Sequence, residues 1–360
     1  MEKIEVKILH ELACSRKTFW ELLDNANYPL KDFVVSLKRL SAKGLIAANE
    51  GGFHLTEEGK RQFNPKSLAF SGKICPMCRG KRIIPEANFK QVLDDFKRIV
   101  EKRPRPTLDF FQGYMLEEDV VARAALMHYY GDLEGKNIVL IGDDDLLSVA
   151  LALTGLPSRI TVLDIDKRLG AFLKNVNKDY GSNIEYVEYN VADPLPQGML
   201  GKFDVFSSEP LETLSGLKAF IMRGVSCLKE NGVGYFGLTL YEASLKKWHA
   251  VQKLVTRMNC VITDIIQGFS VYPMDYGNVN YEEFAHDLGF DVGRNPGINW
   301  YKSALFRFEV LGIAKLPPTV NKKLKIKFID PEEDLTYPKM NHKIANKKLA
   351  AKGHRKSLSP

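Results

Sequence analysis

Between residues 138 and 269, short apolar runs alternate with stretches whose apolar residues recur every three to four positions. The runs 138–141, 160–163, 184–189, 203–206, 232–240 and 261–269 have the length and composition of strands. Those at 146–153, 169–180, 217–228 and 245–258 have the period of helices. Strands taking turns with helices predict a mostly parallel, Rossmann-like α/β sheet covered on both faces. Its ligand is expected at the carboxyl ends of the strands, beside the point where the strand order reverses. Those ends carry Asp143, Asp144 and Asp145, then Asp164, then Asn190 with Asp193, then Ser208 with Glu209.

Residues 1–65 follow another rhythm. Helical spacing runs over 1–13, 16–23 and 30–41, with Phe33, Val34, Leu37 and Leu40 on one face of the third helix. Two short strands around Gly51-Gly52 and a helix capped by Thr56 come next, so a winged-helix-like domain is expected. Lys31, Lys38, Arg39 and Lys43 would suit a DNA-reading helix. No second basic arm or base-reading cluster accompanies them, so a dimerisation or substrate-gating role is favoured and no nucleic-acid partner is expected.

Residues 66–134 read as a linker with a Cys75-x-x-Cys78 turn and helices over 89–102 and 116–130. One such pair supplies two of the four ligands of structural zinc. Cys14, Cys227 and Cys260 sit in apolar runs and read as buried thiols, so no metal is assigned. The Rossmann-like catalytic domain is placed at 135–320. A basic, flexible tail is placed at 321–360, with an acidic break at 332–334 and disorder from Met340 onward.

Composition adds few constraints. The chain has 360 residues and a net charge of +7, much of it in the tail. No run approaches the roughly 18 apolar residues of a membrane span, and the charged start lacks the apolar core of a secretory signal. Five cysteines in a chain this long make no disulfide framework, so a cytoplasmic protein is expected.

The first turn of the sheet carries the chemistry. A strand breaks at Gly142 into three consecutive carboxylates, where a dinucleotide site would present bare backbone N–H groups to phosphate. Like charges about 4 Å apart at an effective dielectric near 20 cost on the order of 4 kcal/mol per pair. The turn therefore disfavours a pyrophosphate or the carboxylate of S-adenosylmethionine and favours cations. A helix cap accounts for one or two of the aspartates and not for all three. Magnesium with carboxylates and water is one answer. The other is decarboxylated S-adenosylmethionine, a sulfonium with a primary ammonium, used with a polyamine. In that reading Asp164 accepts from the ribose hydroxyls. A carboxylate of the rim holds the amine and takes its proton as nitrogen displaces methylthioadenosine. The stretch 109–114, with Gln112 and Tyr114 among aromatics, suits a wall over an adenine or equally the core packing of Phe110 and Phe111.

The chain resembles the branched-chain polyamine synthases, the N(4)-bis(aminopropyl)spermidine synthase family of archaea and thermophilic bacteria. The resemblance is carried by 109–114, IGDDDLLS at 141–148, TGLPSRITVLDID at 154–166, GLKAFIMRG at 216–224 and GYFGLTLYEAS at 234–244. It spans nearly the whole chain, and the Gly-Asp-Asp-Asp turn is its most specific element. The resemblance implies an aminopropyltransferase acting as a homodimer on spermidine, with decarboxylated S-adenosylmethionine as co-substrate and no permanently bound cofactor. On this basis Asp143, Asp144, Asp145 and Glu209 are the catalytic candidates. Gly142, Asp164, Asn190, Asp193 and Gln112 are assigned to the donor, and Asp144, Asp145, Glu209, Glu212 and Tyr114 to the acceptor.

Two departures stand out. The chain reads Ser208-Glu209-Pro210-Leu211-Glu212-Thr213 where the family has Thr-Asp-Pro-Pro-Glu-Thr, and Tyr189-Asn190 where it has His-Asp. Both bear on acceptor preference more than on reaction type. The alternatives are a methyltransferase of the same fold and a winged-helix regulator that senses polyamines.

Overall fold

A computed structural model describes residues 1–63, 66, 68, 74–330, 335 and 336. The acidic break at 332–334 and the Lys-rich end lie outside the described residues.

Seven strands form the central sheet: β3 (Asn137–Ile141), β4 (Arg159–Asp164), β5 (Ile184–Glu188), β6 (Phe203–Ser208), β7 (Leu228–Thr239), β8 (Cys260–Tyr272) and β9 (Tyr301–Val310). Their order is β5-β4-β3-β6-β7-β9-β8. The first five are parallel, and β9 runs antiparallel between β7 and β8. No strand was expected after residue 269. β9 adds one: it pairs antiparallel with both β7 and β8, and its side chains from Ser303 to Phe308 are buried on both faces. The order reverses between β3 and β6, which places the ligand crevice beyond the ends of those two strands.

The period of two along each strand divides the interior into two cores. Ile138, Leu140 and Val162 pack on one face with Val149 of α7 (Leu147–Thr154) and with Leu169 and Leu173 of α8 (Lys167–Tyr180). Val139, Ile141, Leu163 and Phe206 pack on the other with Leu217 and Ile221 of α9 (Leu214–Cys227) and Trp248 and Val251 of α10 (Leu245–Arg257). Burial on both faces is why these strands read as continuous apolar runs.

The N-terminal elements are α1 (Lys3–Cys14), α2 (Phe19–Asp24), α3 (Leu30–Ala42), the hairpin β1 (Ile46–Asn49) and β2 (Gly52–Leu55), and α4 (Glu57–Gln62). Thr18 and Glu21 form a capping box that starts α2, and the Thr56 hydroxyl accepts from the Gly59 amide to start α4. The unit packs against the loop that leads into β9. Trp20 Nε1 donates to the Gly293 carbonyl at 3.2 Å, and Lys302 pairs with Asp24 at 2.6 Å. Cys227 and Cys260 are buried as expected, whereas Cys14, at the end of α1, is exposed.

Helices α5 (Asn88–Val100) and α6 (Glu117–Tyr129) lead into the sheet. Beyond β9 the start of the expected tail is tied down. Leu324 N donates to Ala192 O, Arg223 Nη2 to Lys322 O, and Thr213 Oγ1 to Lys327 O. Phe328 stacks on Phe111 at 5.8 Å. Residues 322–330 thus cross the carboxyl ends of the strands as a strap.

Candidate active site

β3 ends at Ile141, and Gly142 turns the chain with φ +74, a conformation that favours glycine. The three aspartates then point to different places. Asp143 turns inward: its Oδ1 accepts from Ser148 N at 3.2 Å, and its Oδ2 is buried without a partner. Burial pushes its carboxyl well above the usual range. Asp145 is also buried and accepts from Met115 N at 2.6 Å. Burial and then the Glu209 charge push it up to about 7, against the pull of the Met115 amide and Arg123. Asp144 is half-buried and lines the cavity, accepting from Gly113 N at 3.2 Å. Burial first, then Asp145 and Asp164, raise its carboxyl well above the usual range.

Asp164 at the end of β4 accepts from the amides of Asp143 at 3.0 Å and Asp166 at 2.7 Å. It therefore fixes the two turns as well as lining the cavity, and burial raises it to about 6. Gln112 lines the same wall, but its amide is engaged. Its Nε2 donates to Asp166 at 2.9 Å, and its carbonyl accepts from Arg168 and from Thr107 N. Tyr114 lies in an adjoining cleft, its ring 3.5 Å beneath the Arg103 guanidinium.

Beyond β6, Glu209 and Glu212 face the cavity from the other side. One Glu209 oxygen accepts from Arg123 and the other from the Tyr272 hydroxyl at 2.8 Å. The carboxylate rests against Gly237 of β7, where an added Cβ would lie 1.8 Å from it, so any side chain there would displace the Glu209 carboxylate. Glu212 accepts from Thr239 N at 2.6 Å and from the Thr239 hydroxyl, and burial brings it to about 7.

The structure thus brings Gly142, Asp144, Asp164, Gln112, Glu209 and Glu212 to one cavity, with Asp143 and Asp145 behind its wall. Asn190 and Asp193 are not among the lining residues. Asn190 is exposed and accepts from Ala192 N, and Asp193 pairs with Lys323 of the strap at 3.2 Å. These two residues anchor the strap and its loop in this structure.

Sequence reasoning passed over Arg123, Tyr272, Tyr276, Glu242, Lys247 and Asp330. Arg123 lies mid-helix in α6, 2% exposed, and a lone arginine inside the apolar run from Val120 to Met127 was the available signal. The others come from β8 and the loop after it, from the turn before α10 and its first turn, and from the chain's far end, so no local spacing links them. Among the described residues no group of three or more acidic, His or Cys side chains is arranged to hold a metal ion.

The fold is a Rossmann-like sheet with carboxyl groups crowded at its switch point, an arrangement that favours cationic over anionic ligands. Residues 91–333 match the model of the branched-chain polyamine synthase A C-terminal domain. The N(4)-bis(aminopropyl)spermidine synthase of Thermococcus kodakarensis is 40% identical, over 81% of this chain and 83% of that protein. The Thermus thermophilus enzyme of the same name is 36% identical over 83% and 85%. A crystal structure of the Thermus thermophilus branched-chain polyamine synthase, in complex with N4-aminopropylspermidine and 5'-methylthioadenosine, superposes with a TM-score of 0.80. It covers 92% of this chain and 93% of that one at 34% identity. The chain belongs to the branched-chain polyamine synthase family, transferases of aminopropyl groups.

Proposed function

We propose that this chain moves aminopropyl groups from decarboxylated S-adenosylmethionine to the secondary amine of spermidine, with Asp144 at the reacting centre. The carrying observation is that Asp144, alone of the three aspartates, lines the cavity while the charges around it keep its proton affinity high. Without a cationic ligand that crowding favours the acid. A sulfonium and ammonium groups entering the cavity favour the carboxylate, so cation binding readies a base.

The adenosine half lies along Gly142, Asp164 and Ile165 beneath Phe110 and Phe111. The acceptor lies along Glu209, Tyr272 and Glu212. A neutral amine nitrogen forms a bond to the methylene beside sulfur. The carbon–sulfur bond breaks with its electron pair going to sulfur, and methylthioadenosine leaves as a neutral thioether. In a first transfer the new ammonium gives its proton to Asp144. A second transfer to the same nitrogen creates a permanent cation with no proton to lose, and there the carboxylates act by charge alone. Glu209 is held by Arg123 and Tyr272, which suits it to place the acceptor rather than take the proton. The protein acts as a homodimer in this reading.

The test measures methylthioadenosine release and product mass with decarboxylated S-adenosylmethionine and spermidine. Asp144→Asn is expected to lower kcat by about 10²–10⁴-fold, the usual contribution of general acid–base catalysis. Full activity in that variant removes Asp144 from the chemistry. No release by the parent protein with any amine overturns the function.

A further inference from the structure

Lys247 is a lysine where a lysine is seldom found. It sits in the first turn of α10, only 5% exposed, and lines the same cavity as Asp144, Glu209 and Glu212. Its ammonium donates to the Glu242 carbonyl at 2.9 Å and lies 3.2 Å from the Asp330 carboxylate on the strap. Among the described residues lining the cavity it is the single cation, set against the carboxylates of Asp144, Asp164, Glu209, Glu212, Glu242 and Asp330. A carbonyl and a carboxylate are also the partners a primary ammonium of a polyamine would take.

We propose that Lys247 is a built-in ammonium that closes the far end of the acceptor channel and limits how many cationic centres an acceptor carries into it. The assignment rests on the polyamine acceptor argued above. An acceptor longer by one charged nitrogen brings that nitrogen up against the Lys247 ammonium, and like charges at close range in a half-buried site repel strongly. A shorter acceptor stops before it and meets only carboxylates. The residue thereby selects on length, where the acid rim alone would favour the most highly charged amine.

The experiment compares kcat/KM for spermidine and for the longer tetraamine spermine, read as methylthioadenosine release. Lys247→Met keeps the unbranched stem and removes the charge. It is expected to raise the spermine-to-spermidine ratio by about tenfold or more, the size of one unfavourable charge contact relieved. Lys247→Arg keeps the charge and is expected to hold the parental ratio. Asp330→Asn loosens the strap but leaves the ammonium in place, and it should not raise the ratio. Lys247→Gln serves the same comparison should the methionine variant fail to fold. A ratio within twofold of the parent in the neutral variants overturns the proposal. So does an equal rise in Asp330→Asn, which makes Lys247 only a brace for the strap. A parent protein that turns over no amine overturns the function and this inference together, whereas normal turnover with an unmoved ratio overturns this inference alone.

Discussion

Arg123 anchors the Glu209 side of the cavity electrostatically. Its guanidinium is buried and donates through one nitrogen to Glu209 and to the Ser270 hydroxyl at 2.9 Å. Glu209 keeps 18% of its side chain exposed. Opposite charges about 3 Å apart at an effective dielectric near 20 attract by about 5 kcal/mol, less once that partial exposure is allowed for. Breaking a buried pair from one side costs on the order of 3–5 kcal/mol, because the remaining charge is stranded. Arg123→Met is therefore expected to destabilise the protein by about 3 kcal/mol and Glu209→Gln by about 2 kcal/mol. The double variant should lose about 2 kcal/mol less than the sum, since the second change removes the charge the first one stranded. Urea denaturation of the four proteins measures that coupling. A coupling below about 0.5 kcal/mol would show that the pair carries no net interaction and that Glu209 is positioned by Tyr272 and Gly237 alone. A second readout bears on the site. Arg123 holds the Asp145 carboxyl down, so its removal should move the acid limb of the activity profile to higher pH.

Two further outcomes follow from the same network. Burial raises Asp145 and Glu212 to about 7 and Asp164 to about 6, so the folded, empty protein keeps protons that the unfolded chain has released. Its stability is highest below the unfolded carboxylate range and falls as pH rises through about 6 to 7. Between pH 5.5 and 8, a loss on the order of 2 kcal/mol is expected for each of Asp145 and Glu212, seen as a Tm lower at the higher pH and recovered when spermidine binds. A Tm that rises with pH over that window would refute the account of the empty site. Gly237→Ala would place a Cβ 1.8 Å from the Glu209 carboxylate, and a cost of about 1–3 kcal/mol is expected by thermal unfolding. Its spermidine KM should rise while methylthioadenosine binding is kept, and an unchanged KM would separate Glu209 from the acceptor.

The N-terminal elements were legible in advance because their signals are local. The Thr56 cap, the Gly51-Gly52 turn and the apolar face of α3 need no distant partner to be recognised. The same holds for β3, β4 and β6, whose apolar runs report burial on both faces. β9 was missed, since an antiparallel strand inserted between two others is defined by its neighbours at residues 228–239 and 260–272 rather than by its own spacing. The first part of the tail was misjudged for a similar reason. A run of lysines reads as solvated, while the contacts that pin it, Asp193 with Lys323 and Phe111 with Phe328, span more than a hundred residues.

The turn at 142–145 shows where the two sources of information divide. Residue types alone determined that three carboxyl groups stand at the first turn of the sheet, whereas burial and neighbours set how far each is ionised. They also determined the order of elements that brings Asp164 and Glu209 to the same end of the sheet. Which aspartate faces the cavity was decided only by the folded backbone. Three consecutive residues in a turn point in three directions: Asp143 into the helix cap, Asp145 onto the Met115 amide and Asp144 into the cavity. The partners that tune them come from sequence positions far away: Arg123 from α6, Tyr272 from the end of β8, and Lys247 and Asp330 from α10 and the strap. Electrostatics acts through space, and only tertiary structure supplies those distances.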